Sequence, residues 1–189
     1  MDYQKYIEWQ KRKTTNPVKR FKWLNLEWDS KINEFKVLFS DCEVLKECKN
    51  ALCVCARTGQ EVQALKDMGI DATGIDLVPC EPLVIEGDMH NIPFEDNSFD
   101  FVFSNSFDHS FNPQKFIKEM ERVSRKYILL LIYVGDADDD YTQTVTKFPH
   151  EVTSLFNFDV IKSREKKHYH YNWEILCKSS TAEVGEELR

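Results

Sequence analysis

Residues able to bind or move charge gather in four short stretches of this 189-residue chain. The first, "CARTG" (55–59), follows an apolar run and precedes a helical pattern. A strand-to-helix corner of this kind turns sharply and brings backbone close to a ligand, which glycine permits because it lacks Cβ. Only Gly59 is glycine. Cys55, Ala56 and Arg57 suit the turn if their backbone angles are ordinary, and Arg57 offers positive charge to a bound carboxylate. The second stretch, "GID" (74–76), ends a strand in Asp76. It lies about 20 residues beyond the first turn, where a carboxylate accepts hydrogen bonds from ribose hydroxyls. The third places Asp88 after another strand, within "EGDMHNIPFEDNSFDFV" (86–102). The fourth, "SNSFDHS" (104–110), ends a strand in Asn105, Ser106, Asp108 and His109. Each also has a plainer reading, as a corner, a turn cap or a residue ahead of a helix.

Two further groupings read as structure rather than chemistry. Cys53 and Cys55 form a C-x-C pair whose strand spacing sends both to one face of an apolar run. With no second pair at zinc spacing they are core thiols. His168 and His170 of "HYH" share a strand face without a further ligand, as on a solvated edge.

The elements that must position these residues follow from pattern. "DYQKYIEWQKRK" (2–13) predicts a helix, broken at Asn16-Pro17. "DSKINEFKVLFSD" predicts another, with Ile32, Phe35, Leu38 and Phe39 at helical spacing. Residues 1–48 therefore form a helical N-terminal extension. From Ala51 the rhythm alternates: strands at "ALCVCA", "DATGIDL", "PLVIEG", "NSFDFVFSN" and "KYILLLIYV", helices at "GQEVQALKDMG", "NPQKFIKEMERVS" and "TKFPHEVTSLF". Alternation implies an α/β, doubly wound, mostly parallel sheet over residues 49–179 with helices on both faces. "FDVIKSREKKHYHYNWEILCKS" reads as two strands without an intervening helix, so the last strand runs antiparallel. Residues 180–189 read as a disordered tail.

Composition narrows the function classes. A formal charge of -7 disfavours nucleic acid and anionic membrane as general partners, although "KRKTTNPVKRFKW" (11–23) is basic. No apolar run reaches membrane-spanning length, and "MDYQKYIEWQ" has no apolar signal region. Six cysteines without an export signal suit a reducing, cytoplasmic setting.

Taken together, "GID" and "GDMHNIPFEDNSFDFVFSN" resemble the class I S-adenosylmethionine-dependent methyltransferase family, in its small-molecule, methyltransferase type 11-like branch, over roughly residues 50–178. The resemblance implies a seven-stranded sheet with an antiparallel last strand, and S-adenosyl-L-methionine as cofactor. It implies that Cys55, Ala56, Arg57, Thr58 and Gly59 lie against the methionine part and that Asp76 binds the ribose. Leu77 would pack beside the adenine, Asp88 and Met89 would contact the ring, and Asn105 and Ser106 would border the methyl group. His109 and Asp108 are the candidate catalytic residues. The family's first loop is glycine-rich after an acidic residue. Here Cys53 stands at the acidic position, and Cys55 and Arg57 stand at two glycines. Arginine there either binds the cofactor's carboxylate or fills its site. Two functions follow: methyl transfer to a small-molecule or protein acceptor, with a small molecule favoured, or an inactive methyltransferase-like domain that serves as an interaction module. The acceptor and the oligomeric state are not legible.

Overall fold

The computed structural model describes residues 2–137, 139–168 and 171–180. Its centre is one seven-stranded sheet, ordered β3-β2-β1-β4-β5-β7-β6. The strands are β1 (Asn50–Val54), β2 (Asp71–Asp76), β3 (Val84–Glu86), β4 (Phe99–Ser104), β5 (Ser124–Ile132), β6 (Asp159–His168) and β7 (Tyr171–Lys178). β1 to β5 are parallel, and β7 runs antiparallel to both β5 and β6. The reversal follows from the two-residue link between β6 and β7, which is too short for a crossover. Strand order turns back on itself at β1, which pairs with β2 on one side and β4 on the other. In such a sheet, the carboxyl ends of these strands open into one crevice.

Alternation along the strands builds two apolar layers. Ala51 and Cys53 of β1, with Phe101, Phe103 and Leu129, pack under Ile32, Phe35 and Phe39 of α3 (Trp28–Ser40) and under Val62 and Leu65 of α4 (Gln60–Asp67). Leu52 and Val54, with Val102, Ile128 and Leu130, pack under Phe116, Ile117 and Met120 of α5 (Pro113–Val123). Pro113 opens α5 in its first turn, where its missing N–H costs nothing, and the Asn112 side chain accepts from the Lys115 N–H.

Two expectations change. β1 stops at Val54, and Cys55, with φ 63°, swings to the α5 side, so the two thiols do not share a face. The helix expected across 146–156 contracts to α6 (Pro149–Thr153). All six cysteines are free thiols. Among the described residues no His, Cys, Asp and Glu group is arranged to hold a metal ion, and no helix is long and apolar enough to cross a membrane. His170 and the tail from 181 lie outside the described residues.

α1 (Tyr3–Thr15) starts at Asp2, whose side chain accepts from the Lys5 N–H. Asn16 ends it and caps α2 (Pro17–Phe21) by accepting from the Lys19 N–H. A wide turn, Lys22–Leu26, then leads into α3. α1 lies across the crevice at the strand ends, as its contacts show.

Candidate functional site

The β1–α4 loop carries the conformational signature of the site. Cys55 and Arg57 have φ of 63° and 51°, and Gly59 has 88°. Left-handed backbone costs a residue with a Cβ about 1–2 kcal/mol. The loop thus follows a path suited to glycine while holding two larger residues, so the condition of ordinary angles is met by Ala56 and not by Cys55 or Arg57. Neighbouring strands fix that path. The Ala56 N–H donates to the Ile75 carbonyl at 2.9 Å, and the Arg57 N–H donates to Asp76 Oδ2 at 3.1 Å. Ala56, Thr58 and Gly59 face the protein interior. Thr58 Oγ1 donates to Gln60 Oε1 at 2.7 Å, and a Cβ on Gly59 would come within 2.9 Å of the Leu83 Cβ.

Cys55 and Arg57 face outward and divide the crevice. On one side is a cavity of about 50 Å³, walled from the sheet by Asp76, Leu77, Met89, Ser106 and His109 and from α1 by Tyr6, Gln10, Lys13 and Thr14. On the other side is a chamber of about 100 Å³, walled by Lys31, Phe35, Gln60, Glu61, Asn105 and Tyr171.

Asp76 is buried at the end of β2. Its Oδ1 accepts from the Val78 N–H at 3.0 Å and its Oδ2 from Arg57. Burial raises its carboxyl above the usual range, against the pull of those two amides. Asp88 lines neither cavity. The Tyr3 hydroxyl donates to its Oδ2, and its Oδ1 accepts from the His90 N–H at 2.8 Å and meets His90 Nδ1 at 3.1 Å. Burial pushes Asp88 up, but the His90 and Tyr3 hydrogen bonds outweigh it and hold the carboxyl below its usual range.

His109 lines the first cavity with its ring buried. Burial first, then the Lys13 ammonium, lowers it to about 4, so the imidazole is neutral. Its Nδ1, 3.2 Å from the Tyr141 carbonyl, carries the proton in this arrangement, and Nε2 accepts from Lys13 Nζ at 3.0 Å. Lys13 also pairs with Asp139. Asp108 sits behind, with Oδ2 3.6 Å from His109 Nε2, and its backbone carbonyl accepts the Gln143 and Thr144 N–H groups.

The N-terminal aromatics cover this crevice. Trp9 Nε1 donates to the Asp140 carbonyl at 3.2 Å, Gln10 Nε2 to the Tyr141 carbonyl at 2.9 Å, and Gln60 Nε2 to the Trp23 carbonyl at 3.0 Å. The Trp23 ring lies 4.5 Å from the Arg57 guanidinium. Trp28 packs on the α3–α4 layer. Sequence reasoning placed Cys55, Arg57, Asp76, Leu77, Met89, Asn105, Ser106 and His109 around one crevice, and the structure brings them together there. It missed Tyr6, Gln10 and Lys13 on α1, and Lys31 and Glu61. The hydrogen bonds of α1 to the strand-end loops span 75 to 131 residues of chain, and only the three-residue spacing of Tyr3 and Tyr6 hints at an inward face.

Comparison with known proteins bears on the same region. Residues 52–131 match the family described as "Methyltransferase domain". No curated protein matches the chain. Among solved structures, a Burkholderia thailandensis 1,6-didemethyltoxoflavin-N1-methyltransferase, solved with 1,6-didemethyltoxoflavin and S-adenosylhomocysteine bound, is similar at 11% identity and TM-score 0.71, over 95% of this chain and 91% of that one. A Pyrococcus horikoshii protein is similar at 16% identity and TM-score 0.65, over 82% and 92%. A Thermotoga maritima S-adenosylmethionine-dependent methyltransferase, described as a possible histamine N-methyltransferase, is similar at 17% identity and TM-score 0.58, over 85% and 97%. At these identities the likeness is one of fold.

Proposed function

We propose, from the premise that residues 52–131 are a domain of the class I S-adenosylmethionine-dependent methyltransferase family, that the protein transfers a methyl group from S-adenosyl-L-methionine to a small-molecule acceptor. One observation carries this reading: Cys55 and Arg57 are held in left-handed backbone above Asp76. Strained residues of this kind persist where the surrounding structure over-determines them, and they cluster at functional sites. The side chains present also fit an adenosine bearing an amino-acid tail. Asp76 would take the ribose hydroxyls, Leu77 and Met89 would flank the adenine, and Asp88 would accept from its amino group once Tyr3 withdraws. Asn105 and Ser106 would border the acceptor. Ala56, Thr58 and Gly59 would contribute backbone only.

When bound, the cofactor supplies a sulfonium methyl group for in-line displacement, and the protein's task is alignment. His109 is the group placed to take a proton from an acceptor that must lose one. It does so only when Lys13 leaves its Nε2, and Asp108 then favours the imidazolium that forms. Known ligand pockets span about 300–1,000 Å³, so the α1 cover must lift for entry. The small acceptor named for the Burkholderia neighbour supports a small-molecule acceptor here. Six free thiols suit the cytoplasmic setting we assign, and the net charge of -7 disfavours nucleic acid and anionic membrane as partners.

A second reading, an inactive interaction module, is favoured by the way Cys55, Arg57 and α1 fill the crevice. Calorimetric titration with S-adenosylmethionine and S-adenosylhomocysteine separates the two. Binding heat with a rise in melting temperature supports the transferase. No heat and no shift at millimolar ligand overturns it in favour of the module.

A further inference from the structure

We propose that α2 and the wide turn after it form a docking face for an anionic lipid surface, with Val18, Phe21 and Leu26 as its apolar wedge and Arg12, Lys19 and Lys22 as its cationic rim. The face lies outside the crevice, and the inference does not depend on the reaction.

Residues 11–23 hold six lysines and arginines and no acid, within a chain of formal charge -7. Two of the six are engaged by the rest of the fold: Lys13 pairs with Asp139, and Arg20 Nη2 donates to the Pro79 carbonyl at 3.1 Å. Lys11 meets Glu86 at 3.3 Å. Arg12, Lys19 and Lys22 are exposed. Arg12 and Lys19 rest near the Trp9 and Tyr141 rings, each at 5.5 Å, and a ring contact leaves the charge unneutralised. Lys22 shares the Glu27 carboxylate with Lys31, at 2.8 Å and 3.6 Å.

The wedge stands among these cations. Val18, Phe21 and Leu26 are 76%, 60% and 70% exposed. Val18 and Phe21 are three residues apart and share one side of α2. The turn from Lys22 to Leu26 is wider than an α-helix and closes with the Glu27 N–H on the Lys22 carbonyl at 3.0 Å, which brings Leu26 back into line with them. The segment is pinned from beneath. Trp23 is buried, its ring lies on the Arg57 guanidinium, and its carbonyl accepts from Gln60 Nε2. Apolar side chains gathered on one side of an anchored element and rimmed by polar groups mark an interaction surface.

Charge decides the occupant. Cations around an apolar wedge suit an interfacial element that seats its apolar side chains at the acyl boundary and its Lys and Arg among anionic headgroups. Nucleic acid would answer the cations and leave Val18 and Leu26 uncovered. The net charge of -7 disfavours anionic lipid for the surface as a whole. Contact is therefore confined to the one face where the sign is reversed, and the rest of the molecule is held away.

The test is co-sedimentation of the full chain with two kinds of vesicle: phosphatidylcholine alone, and phosphatidylcholine mixed with phosphatidylserine in equal parts. The wild type is expected to partition onto the mixed vesicles roughly tenfold or more above the neutral ones, and to lose that preference as salt is raised. Phe21→Ala combined with Leu26→Ala is expected to weaken binding to the mixed vesicles roughly tenfold or more, from the apolar area no longer buried. Arg12→Glu combined with Lys19→Glu is expected to weaken it by about fivefold or more for each cation lost. All four side chains are exposed, so both variants are expected to keep the wild-type melting temperature, and either variant alone still tests the face. No partition of the wild type onto the mixed vesicles would overturn the proposal and leave the transferase reading intact. So would equal partition onto both kinds of vesicle, or binding that neither variant weakens. Retention of single-stranded RNA, or self-association in sedimentation velocity, that the same variants abolish while vesicles go unbound would assign the face to another occupant and overturn it as well.

Discussion

The two sides of the crevice are built on different principles. The sheet side hangs from strands whose side chains are fixed by packing: Phe103 of β4 is 1% exposed, with its ring edge-on to Phe39 at 5.1 Å and to Phe35 at 5.9 Å. The covering side, α1, is held mainly by polar contacts to groups near the strand ends, from Tyr3, Trp9, Gln10 and Lys13. Tyr6 is its one fully buried aromatic, seated against Phe111 and His90. Apolar packing is lost in one cooperative step, whereas hydrogen bonds at an accessible rim exchange with water at small net cost. One wall therefore rests on apolar packing and the other chiefly on polar contacts, and the proposed entry of a ligand draws on that difference.

The sharpest way to break this contrast is to cut the apolar wall. Phe103→Ala removes a ring shared between α3 and the sheet and is expected to destabilise the protein by about 3–5 kcal/mol, read as a fall in the denaturant midpoint with unchanged slope. A loss under about 1 kcal/mol would mean that the α3 layer collapses into the gap and that the wall is not rigid.

A smaller effect distinguishes the strained wall from its own core. Burial lifts Glu61 to about 7 from its ordinary 4.5. Between those values the folded protein holds a proton that the unfolded chain has released, so this group's contribution to stability falls as pH rises from 4.5 to 7. The groups facing it are Arg57 and Cys55 of the loop, Asp76 of β2, Lys31 of α3 and Cys53 of β1. His109 has the opposite sign. Held at about 4 against 6.5, it costs stability as pH falls through that interval. The two overlap, so the wild-type profile alone hides both. The difference profile isolates Glu61: Glu61→Gln is expected to match the wild type near pH 4 and exceed it by up to about 2 kcal/mol at pH 8. A difference independent of pH would show that Glu61 titrates normally and that the chamber is wet.

The contrast also explains what the sequence made legible. β5 declares itself through "YILLLIYV", because a strand covered on both faces needs apolar residues throughout. The antiparallel end follows from two strand patterns with no helix between them. Asp76 stands out because it closes an apolar strand, and Asp88 because it follows the next strand within two residues. The left-handed angles of Cys55 and Arg57 were not legible, because backbone angle in a loop is set by what the neighbouring strand accepts, here the Asp76 carboxylate, and not by the residue's own preference. Glu61 was invisible for a different reason. On a helical pattern it reads as a solvated first-turn acid, and only the overlay of α3 and the loop buries it. The position of α1 had almost no local signal, since its partners lie up to 131 residues away.

The smallest effect tests the polar side. Tyr3→Phe deletes one hydroxyl that donates to Asp88 and lies 3.0 Å from His90 Nδ1. Asp88 keeps both of its His90 contacts, so no buried carboxylate is orphaned, and the loss of stability is expected to be only about 0.5–1.5 kcal/mol. Its consequence for binding has the opposite sign. If α1 competes with ligand for Asp88, loosening it raises the fraction of open molecules, and S-adenosylhomocysteine should associate faster in stopped-flow measurements, with dissociation less affected. Slower association, with stability reduced as expected, would mean that Tyr3 belongs to the binding surface and that α1 closes over the ligand as part of its site.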